Sequence, residues 1–127
     1  MRALLDTHTL LWWLSDDRAL TRTARSVIAD TGNALFVSAA SAWEIATKVR
    51  LKKLQASELV EDFYGHMERD GFQSLSISME HGIRAGLLPG PLKDPFDRMF
   101  IAQSQAENLP IISNETAFEA YGIRRIW

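Results

Sequence analysis

Short apolar segments alternate with stretches of helical periodicity along the chain, and this alternation constrains the fold more than any single motif. The apolar segments at residues 2–5, 34–37, 72–77, 109–112 and 123–127 are typical of buried strands. Parallel strands need long crossovers, which are usually helical, so strands separated by helices favour parallel pairing. The sequence therefore predicts an α/β fold built on a mostly parallel central sheet of four to five strands.

Capping residues and apolar spacing set the boundaries of the predicted helices. These helices are residues 9–14 capped by Thr7 or Thr9, 21–29 with Thr21 as the cap, 39–50 after Ser38, 57–70 from Ser57 to a stop at Gly71, 79–87, 95–107 after Asp94, and a helical turn at 116–121. Open parallel sheets bind their ligands beyond the carboxyl ends of the strands. The residues that directly follow each strand are therefore the first candidates for a functional site.

The composition is that of an ordinary globular protein and excludes several classes. With 127 residues, 46% hydrophobic and 24% charged, we expect one domain covering residues 1–127. The lack of cysteine excludes disulfides, thiolate metal sites and a cysteine nucleophile. A net charge of −2 is too small to steer the whole molecule onto nucleic acid.

The N-terminal region carries no sign of membrane insertion or export. Its longest apolar run, residues 10–14, is far shorter than the ~20 residues that a membrane span needs. Asp6 and His8 interrupt any signal-peptide core. We therefore expect a cytoplasmic protein that does not associate with membranes.

Five carboxylates lie at the predicted carboxyl edge of the sheet, on four separate segments of chain. Asp6 ends the first strand, and Glu44 lies in the helix after the second. Asp94 and Asp97 open the helix before the fourth strand, and Glu115 follows that strand. The aspartates and Glu115 have a structural alternative as caps or first-turn acids. Glu44 has apolar neighbours, and charged groups are rarely buried unpaired.

Several carboxylates held together need a cation or a proton to be stable. Two like charges at ~4 Å repel by roughly 4 kcal/mol at an effective dielectric constant of 20. Hard oxygen ligands around an open pocket suit Mg²⁺ or Mn²⁺. These ions activate water and stabilise an in-line phosphoryl displacement. The residues alone therefore indicate a metal-dependent phosphodiesterase.

Four stretches of the chain resemble the PIN-domain ribonucleases, and within that family the VapC-type toxins of type II toxin–antitoxin pairs. They are LLDTHTLLW at residues 4–12, VSAASAWEIATK at 37–48, KDPFDRMFIAQ at 93–103 and IISNETAF at 111–118. Each stretch alone is a weak signal. Together they span nearly the whole chain in the family's order, and the ordered set is specific.

The resemblance implies a three-layer α/β/α domain that cleaves RNA with Mg²⁺ or Mn²⁺, leaving a 5′-phosphate and a 3′-hydroxyl. The family's first three acids match Asp6, Glu44 and Asp97, which would hold the metal. Asp94 matches an extra acid of an Asp-Pro-Phe-Asp subgroup and is a further candidate ligand. The fourth catalytic acid, usually Asp, is Glu115 here, and its longer side chain favours a water-mediated role. Many relatives have His where this chain has Leu92.

Candidate substrate-binding residues accompany these acids. They are Thr7, Lys48, Lys52, Arg98, Ser113 and Asn114. The lysines belong to a basic cluster at the end of the Glu44 helix, which either grips phosphate or is a solvated helix end. Arg98 could contact phosphate or pair with an acid, and the small polar residues could bind phosphate or cap helices. His8 is a candidate ligand or a structural group, and the four tryptophans stack on bases or pack in the core.

The resemblance also implies partners: an RNA substrate, a cognate antitoxin and a second copy of the chain. Two other functions remain open. A PIN-fold binding module without catalysis is favoured by Glu115 in place of Asp. An aspartate-dependent phosphomonoesterase is suggested by the segment from Asp6 to Thr9, although His8 occupies the place of its second acid. No glycine-rich phosphate loop supports the use of ATP or NAD.

Overall fold

Five parallel strands form one sheet, with helices between them. The computed structural model describes residues 1–127. The strands are β1 (Arg2–Leu5), β2 (Ala34–Ser38), β3 (Gln73–Leu75), β4 (Ile111–Ile112) and β5 (Arg125–Ile126). The helices are α1 (Thr7–Leu14), α2 (Arg22–Ala29), α3 (Ala39–Arg50), α4 (Ser57–Glu61), α5 (Phe63–Arg69), α6 (Met79–Leu87), α7 (Pro95–Glu107) and a 3₁₀ helix (Thr116–Tyr121). The strand order is β3-β2-β1-β4-β5, and every pair is parallel, so the predicted α/β fold is confirmed.

Two apolar clusters, one on each face of the sheet, hold the helices in place. Ala3 and Leu5 of β1 share a cluster with Ile45 of α3, whereas Leu4 shares the other cluster with Phe100 of α7. Successive strand residues point to opposite faces, and Ala3, Leu4 and Leu5 are all fully buried. Helices therefore cover both faces, which confirms the expected three-layer α/β/α arrangement.

The order of the strands reverses around β1, and this places the site. β2 lies on one side of β1 and β4 on the other, so that Leu5 pairs with both Val37 and Ile112. Crevices at the carboxyl end of such a switch point are the usual ligand sites of open parallel sheets. The first residues beyond β1 and β4, Asp6 and Ser113, lie side by side at this position.

Two predicted boundaries were wrong for local reasons. Asp6, and not a threonine, caps α1, because its Oδ1 accepts a hydrogen bond from Thr9 N at 2.9 Å. The helix predicted from Ser57 is two short helices, broken at Asp62, whose side chain accepts from Gly65 N and caps α5. Ser57 is the first residue of α4 and not its cap.

The remaining boundaries differ little from the predicted ones. Thr21, Ser38 and Asp94 cap their helices as predicted. β4 starts two residues late because Asn108 ends α7 in the left-handed conformation (φ 53°) and Pro110 has no N–H to pair. No helix combines the length and the apolarity that crossing a membrane requires.

Candidate active site

A cavity of about 100 Å³ opens where the chain leaves β1 and β4. It is lined by Asp6, Thr7, His8, Glu44, Lys48, Asp94, Asp97, Phe100, Asn114 and Glu115. The structure thus brings all five carboxylates singled out in the sequence to one place. Only one of the lining side chains is hydrophobic, so the cavity is suited to polar or charged ligands.

Asp6 is the most firmly fixed of the acids. It is buried, and its two oxygens accept hydrogen bonds from Thr9 N and from the Ser113 hydroxyl. The Thr9 hydroxyl donates to Ile112 O at 2.8 Å and so ties α1 to β4. Burial raises the pKa of Asp6 above its usual range, and the hydrogen bonds from Ser113 and Thr9 oppose that rise.

Glu44 reaches the cavity from the buried side of α3. Glu44 is only 6% exposed, and its carboxylate accepts a hydrogen bond from Lys48 Nζ at 2.6 Å, one helical turn further on. The two residues are four apart on the helix, a spacing at which opposite charges commonly pair. One turn earlier, the Ser41 hydroxyl bonds to the Thr7 hydroxyl at 3.0 Å and connects α3 to α1.

Asp94 and Asp97 come from the first turn of α7. Asp94 Oδ1 accepts hydrogen bonds from the N–H groups of Phe96 and Asp97, at 2.9 and 3.0 Å, so Asp94 both caps the helix and lines the cavity. Burial raises the pKa of Asp97 to about 7, and the nearby charges of Asp94, Asp6, Glu44 and Glu115 add to the rise. Asp97 therefore experiences the negative charge of the other four acids.

The loop after β4 supplies the last side of the cavity. Ser113 accepts a hydrogen bond from Glu115 N at 2.9 Å while it donates to Asp6, so it positions two acids at once. Glu115 Oε1 accepts from Ala117 N at 3.1 Å and caps the 3₁₀ helix. Asn114 lies between them and is exposed to the cavity.

Two of the proposed substrate-binding residues lie elsewhere. Lys52 follows α3 in the left-handed conformation (φ 59°) and lines a separate groove together with Leu11 and Leu54. Arg98 donates four hydrogen bonds, of 2.8 to 3.3 Å, to the carbonyl groups of Ala85, Gly86, Leu88 and Leu92. The structure does not support a phosphate-binding role for either residue: Lys52 is in the wrong place, and the Arg98 guanidinium is occupied by backbone.

The sequence analysis missed two residues of the site. Ser41 is fully buried and pairs with Thr7, and Phe100 supplies the hydrophobic wall of the cavity. Both lie three residues from a selected acid, Ser41 before Glu44 and Phe100 after Asp97. Residues three apart share a helix face, so this spacing was the signal that could have found them. His8, which was left open as a ligand, is exposed and lines the cavity.

The donor set matches a hard divalent cation in chemistry and in charge. Five carboxylates face one ammonium group, and the charges of the other four acids add to the rise that burial produces in the pKa of Asp97. The spacing of the side chains is not that of a finished metal centre, because no three acidic or histidine side chains form a complete ligand set. Glu44 is paired with Lys48 instead, and Asp6 with Ser113 and Thr9.

An α/β/α domain with a five-stranded parallel sheet and a carboxylate cavity at its switch point defines the class of this protein. The family model of the PIN domain matches residues 3–123. The chain belongs to the PIN-domain family, as its sequence motifs indicated. No curated protein sequence matches it.

Solved structures with the same fold include three toxin–antitoxin proteins. VapBC2 from Rickettsia felis, bound to a DNA fragment from its promoter, is 14% identical with a TM-score of 0.71, covering 100% of both chains. VapC20 from Mycobacterium tuberculosis, a toxin that cleaves the sarcin-ricin loop, is 12% identical with a TM-score of 0.70, covering 95% of each chain. A toxin–antitoxin complex from Klebsiella pneumoniae is 22% identical with a TM-score of 0.61, covering 93% of this chain and 90% of that one. At these identities the likeness shows the fold.

Proposed function

We propose that this PIN-domain protein is a metal-dependent endoribonuclease that acts as the toxin of a toxin–antitoxin pair. The observation that carries the proposal is the convergence of five carboxylates from four chain segments on one cavity, with the pKa of Asp97 raised by burial and by its neighbours. A cavity of this kind gains stability from a divalent cation, and such a cation is suited to phosphodiester hydrolysis.

Asp6, Glu44 and Asp97 are the residues that would hold Mg²⁺ or Mn²⁺. When bound, the ion would activate water and offset negative charge on the phosphoryl oxygens. Asp6 is already oriented by Ser113 and Thr9, so it needs little rearrangement. Glu44 would exchange the ammonium group of Lys48 for the cation, which would free Lys48 to meet the RNA phosphate.

The other lining residues have supporting roles in this proposal. Asp94 holds the first turn of α7 and, with Glu115, adds negative charge that attracts the cation. Thr7 and Asn114 are placed to bond phosphate oxygens or water at the edge of the cavity. Ser113 acts through Asp6 and Glu115, and its one hydroxyl hydrogen is already donated to Asp6, so it has none to donate to substrate.

Replacing Asp6 with Asn tests the proposal. Asn caps helices as well as Asp does, so the fold should persist while the negative ligand is lost. We expect cleavage of RNA in Mg²⁺ or Mn²⁺ to fall by at least roughly 100-fold, since even outer partners of metal ligands are worth about 10- to 100-fold. The measurement is the rate of cleavage of a labelled RNA.

The matched control is Asp30→Asn, which changes an exposed acid at the end of α2. It should cleave like the unaltered protein when purified in the same way. If Asp6→Asn cleaves as fast as Asp30→Asn in preparations free of contaminating nuclease, the proposed role of Asp6 is wrong.

The toxin role includes an antitoxin partner, and two observations support it. Two of the similar folds are toxin–antitoxin complexes. The chain also carries a groove of about 830 Å³, lined in part by Leu11, Leu14 and Leu54, which could receive an apolar segment of another protein. A small protein encoded next to the gene of this chain would be the candidate antitoxin, and it should form a stable complex with this chain in the cytoplasm and suppress its cleavage of RNA.

A homodimer is the remaining part of the proposal. Met79, Ile83 and Leu87 form a stripe on α6, and they are 89, 64 and 78% exposed. In an antiparallel α6 pair, the Glu80 and Arg84 side chains of the two copies would face each other with opposite charge. Ile83→Asp should convert a dimer into a folded monomer in light-scattering measurements, and an unchanged mass would contradict this interface.

One observation favours a second function. The acids do not form a complete ligand set, which suits a PIN-fold binding module without catalysis. Such a module would not respond to divalent cations, and the titration with Mn²⁺ described below distinguishes the two.

A further inference from the structure

Trp43 is exposed to solvent on α3, one residue before Glu44, which lines the carboxylate cavity. Its side chain is 58% exposed, whereas the other three tryptophans are partly buried in the packing around α1. A tryptophan side chain that is left exposed offers a large apolar face on which a planar ligand can stack.

Trp43 is next to one acid in the sequence, and its ring contacts a residue that is next to another acid on a second helix. It precedes Glu44 on α3, and its ring packs edge-to-face on Phe96, with centroids 4.7 Å apart and planes at 69°. Phe96 in turn precedes Asp97 on α7 and packs against the buried cluster around Phe100. The Trp43–Phe96 pair thus joins the two helices that carry Glu44 and Asp97.

This arrangement fixes the Trp43 ring and leaves it open. The edge-to-face contact with Phe96 restrains the ring before any ligand arrives, which lowers the entropy cost of binding. The helix positions next to Trp43 that lie on the surface are Ala39 and Ala46, four residues before it and three after it. Neither side chain is large enough to cover the indole.

Electrostatics near the cavity cannot supply much affinity for RNA. The chain has a net charge of −2, and of the cavity residues only Lys48 is a permanent cation. Binding of nucleic acid usually depends on neutralising its phosphates, a contribution that this edge of the molecule largely lacks. Stacking on an aromatic ring provides affinity that does not depend on charge and that accepts any base.

We propose that the Trp43 ring is a stacking platform for one unpaired nucleobase of the RNA strand whose phosphate enters the carboxylate cavity. The proposal rests on the ribonuclease function proposed above and adds a preference for single-stranded substrate. A base within a duplex has both faces covered by its neighbours, so only an unstacked base can use the platform.

The experiment compares Trp43→Ala, Trp43→Leu and Trp43→Phe in binding to a labelled single-stranded RNA, followed by fluorescence anisotropy in Ca²⁺, which takes oxygen ligands and offsets the charge of the acids. Gels of the same samples show whether the strand stays intact. Ala and Leu should weaken binding by about 5- to 100-fold, the range expected for the loss of one stacked base, while the planar Phe retains most of the affinity. Binding of the same strand annealed to its complement should be weak and should not change in any variant. Tyr64 provides the control, because Tyr64→Ala removes an even more exposed aromatic ring from α5, a helix that carries none of the five acids of the cavity.

A second measurement follows stacking directly. Stacking of a base on an indole quenches its fluorescence, so the quenching produced by RNA in the unaltered protein should be reduced in Trp43→Phe. Cleavage by Trp43→Ala in Mn²⁺ should show a raised KM with little change in kcat, because the platform binds substrate and does not touch the reacting phosphate.

The outcomes separate this inference from the proposed function. If the unaltered protein cleaves RNA and Trp43→Ala binds and cleaves it equally well, the stacking role of Trp43 is wrong and the proposed ribonuclease function is unaffected. If the unaltered protein does not cleave RNA but binds single strands through Trp43, the platform stands and the nuclease is wrong. If Trp43→Ala alters only assembly with a protein partner or a second copy, Trp43 belongs to a protein interface and the platform is overturned.

Discussion

Asp97 and Arg98 are neighbours in the first turns of α7, yet their surroundings differ completely. Arg98 donates to four carbonyl groups from the end of α6 and the loop that follows it. Asp97 lines a cavity that also holds four other carboxylates, whose charges add to the effect of burial on its pKa. One side chain has all the partners it can use, and the other is surrounded by groups that repel it.

This difference distinguishes a structural polar group from a functional one. A charged group that serves stability is matched by hydrogen bonds within the chain, as Arg98 is. A carboxylate whose pKa is raised by burial, and further by neighbours of like charge, destabilises the protein when ionised unless a cation binds there. We therefore expect changes at Arg98 to act on folding, and changes at Asp97 to act on ligand binding and on the dependence of stability on pH.

The largest effect on stability should come from Arg98→Ala. It leaves four carbonyl groups without their donor and frees the segment between α6 and α7, so the free energy of unfolding should fall by about 2–4 kcal/mol. Urea denaturation measures this loss. Arg98→Lys should recover only part of it, because an ammonium group cannot reach all four carbonyl groups.

The comparison would fail if Arg98→Ala folded as stably as the unaltered protein and bound RNA less tightly. That result would give Arg98 the phosphate-binding role that its sequence position suggested. We expect instead that RNA cleavage per folded molecule stays nearly unchanged.

The next largest effect is the rise in the free energy of unfolding that Mn²⁺ should produce. A cation that binds only the folded state stabilises it by about 2.7 kcal/mol at a concentration 100-fold above its Kd. Calorimetry should show this rise for the unaltered protein and for Glu58→Gln, which alters an exposed acid in the first turn of α4. Glu44→Gln and Asp97→Asn should lose most of it.

If Mn²⁺ does not raise the stability of the unaltered protein, the protein does not bind this cation. The carboxylate cavity would then belong to a binding module without catalysis, as the incomplete ligand set suggests. A response that persists unchanged in Glu44→Gln and Asp97→Asn would place the cation elsewhere on the molecule.

Much of the fold was predictable because the pattern of short apolar runs and caps is local. Thr21, Ser38 and Asp94 start helices for reasons contained within three or four residues of each. The break at Asp62 was not predictable from apolar spacing, since the same periodic side chains continue through it. There, a polar residue that caps the following helix overrides the periodicity of its neighbours.

The residues of the site were likewise predictable where their position depends on local sequence, and not where it depends on distant parts of the chain. The convergence of the five carboxylates was predictable because four of them follow a strand or open a helix at one edge of a parallel sheet, and Glu44 lies in the helix that follows the second strand. The hydrogen-bond partners of Arg98 were not predictable, because they depend on where the carbonyl groups of residues 85–92 point in the folded chain. Lys52 was misplaced because the chain turns through a left-handed residue after α3, which directs it away from the acids.

The smallest of these effects is the dependence of stability on pH at Asp97. Its folded-state pKa of about 7 lies above the ordinary value of 3.8, so the folded chain holds a proton that the unfolded chain has released between these limits. The associated stability is present at low pH and is lost as the pH rises through about 7. Asp97→Asn cannot ionise, so at pH 8 it should be more stable than the unaltered protein by about 1–2 kcal/mol once solvent screening of this partly exposed side chain is allowed for.

A bound cation should reverse the sign of the stability difference between Asp97→Asn and the unaltered protein, which gives the pH series a second test. Without metal, the advantage of Asp97→Asn should shrink as the pH falls from 8 towards 4, and Arg98→Lys should show no comparable trend. In Mn²⁺ at pH 8, the ionised Asp97 of the unaltered protein gains a partner that Asn cannot replace, so the unaltered protein becomes the more stable of the two. Urea denaturation of both proteins at pH 8, with and without Mn²⁺, decides the matter. If Asp97→Asn stays the more stable protein in both conditions, the excess negative charge at the cavity does not serve to bind a cation.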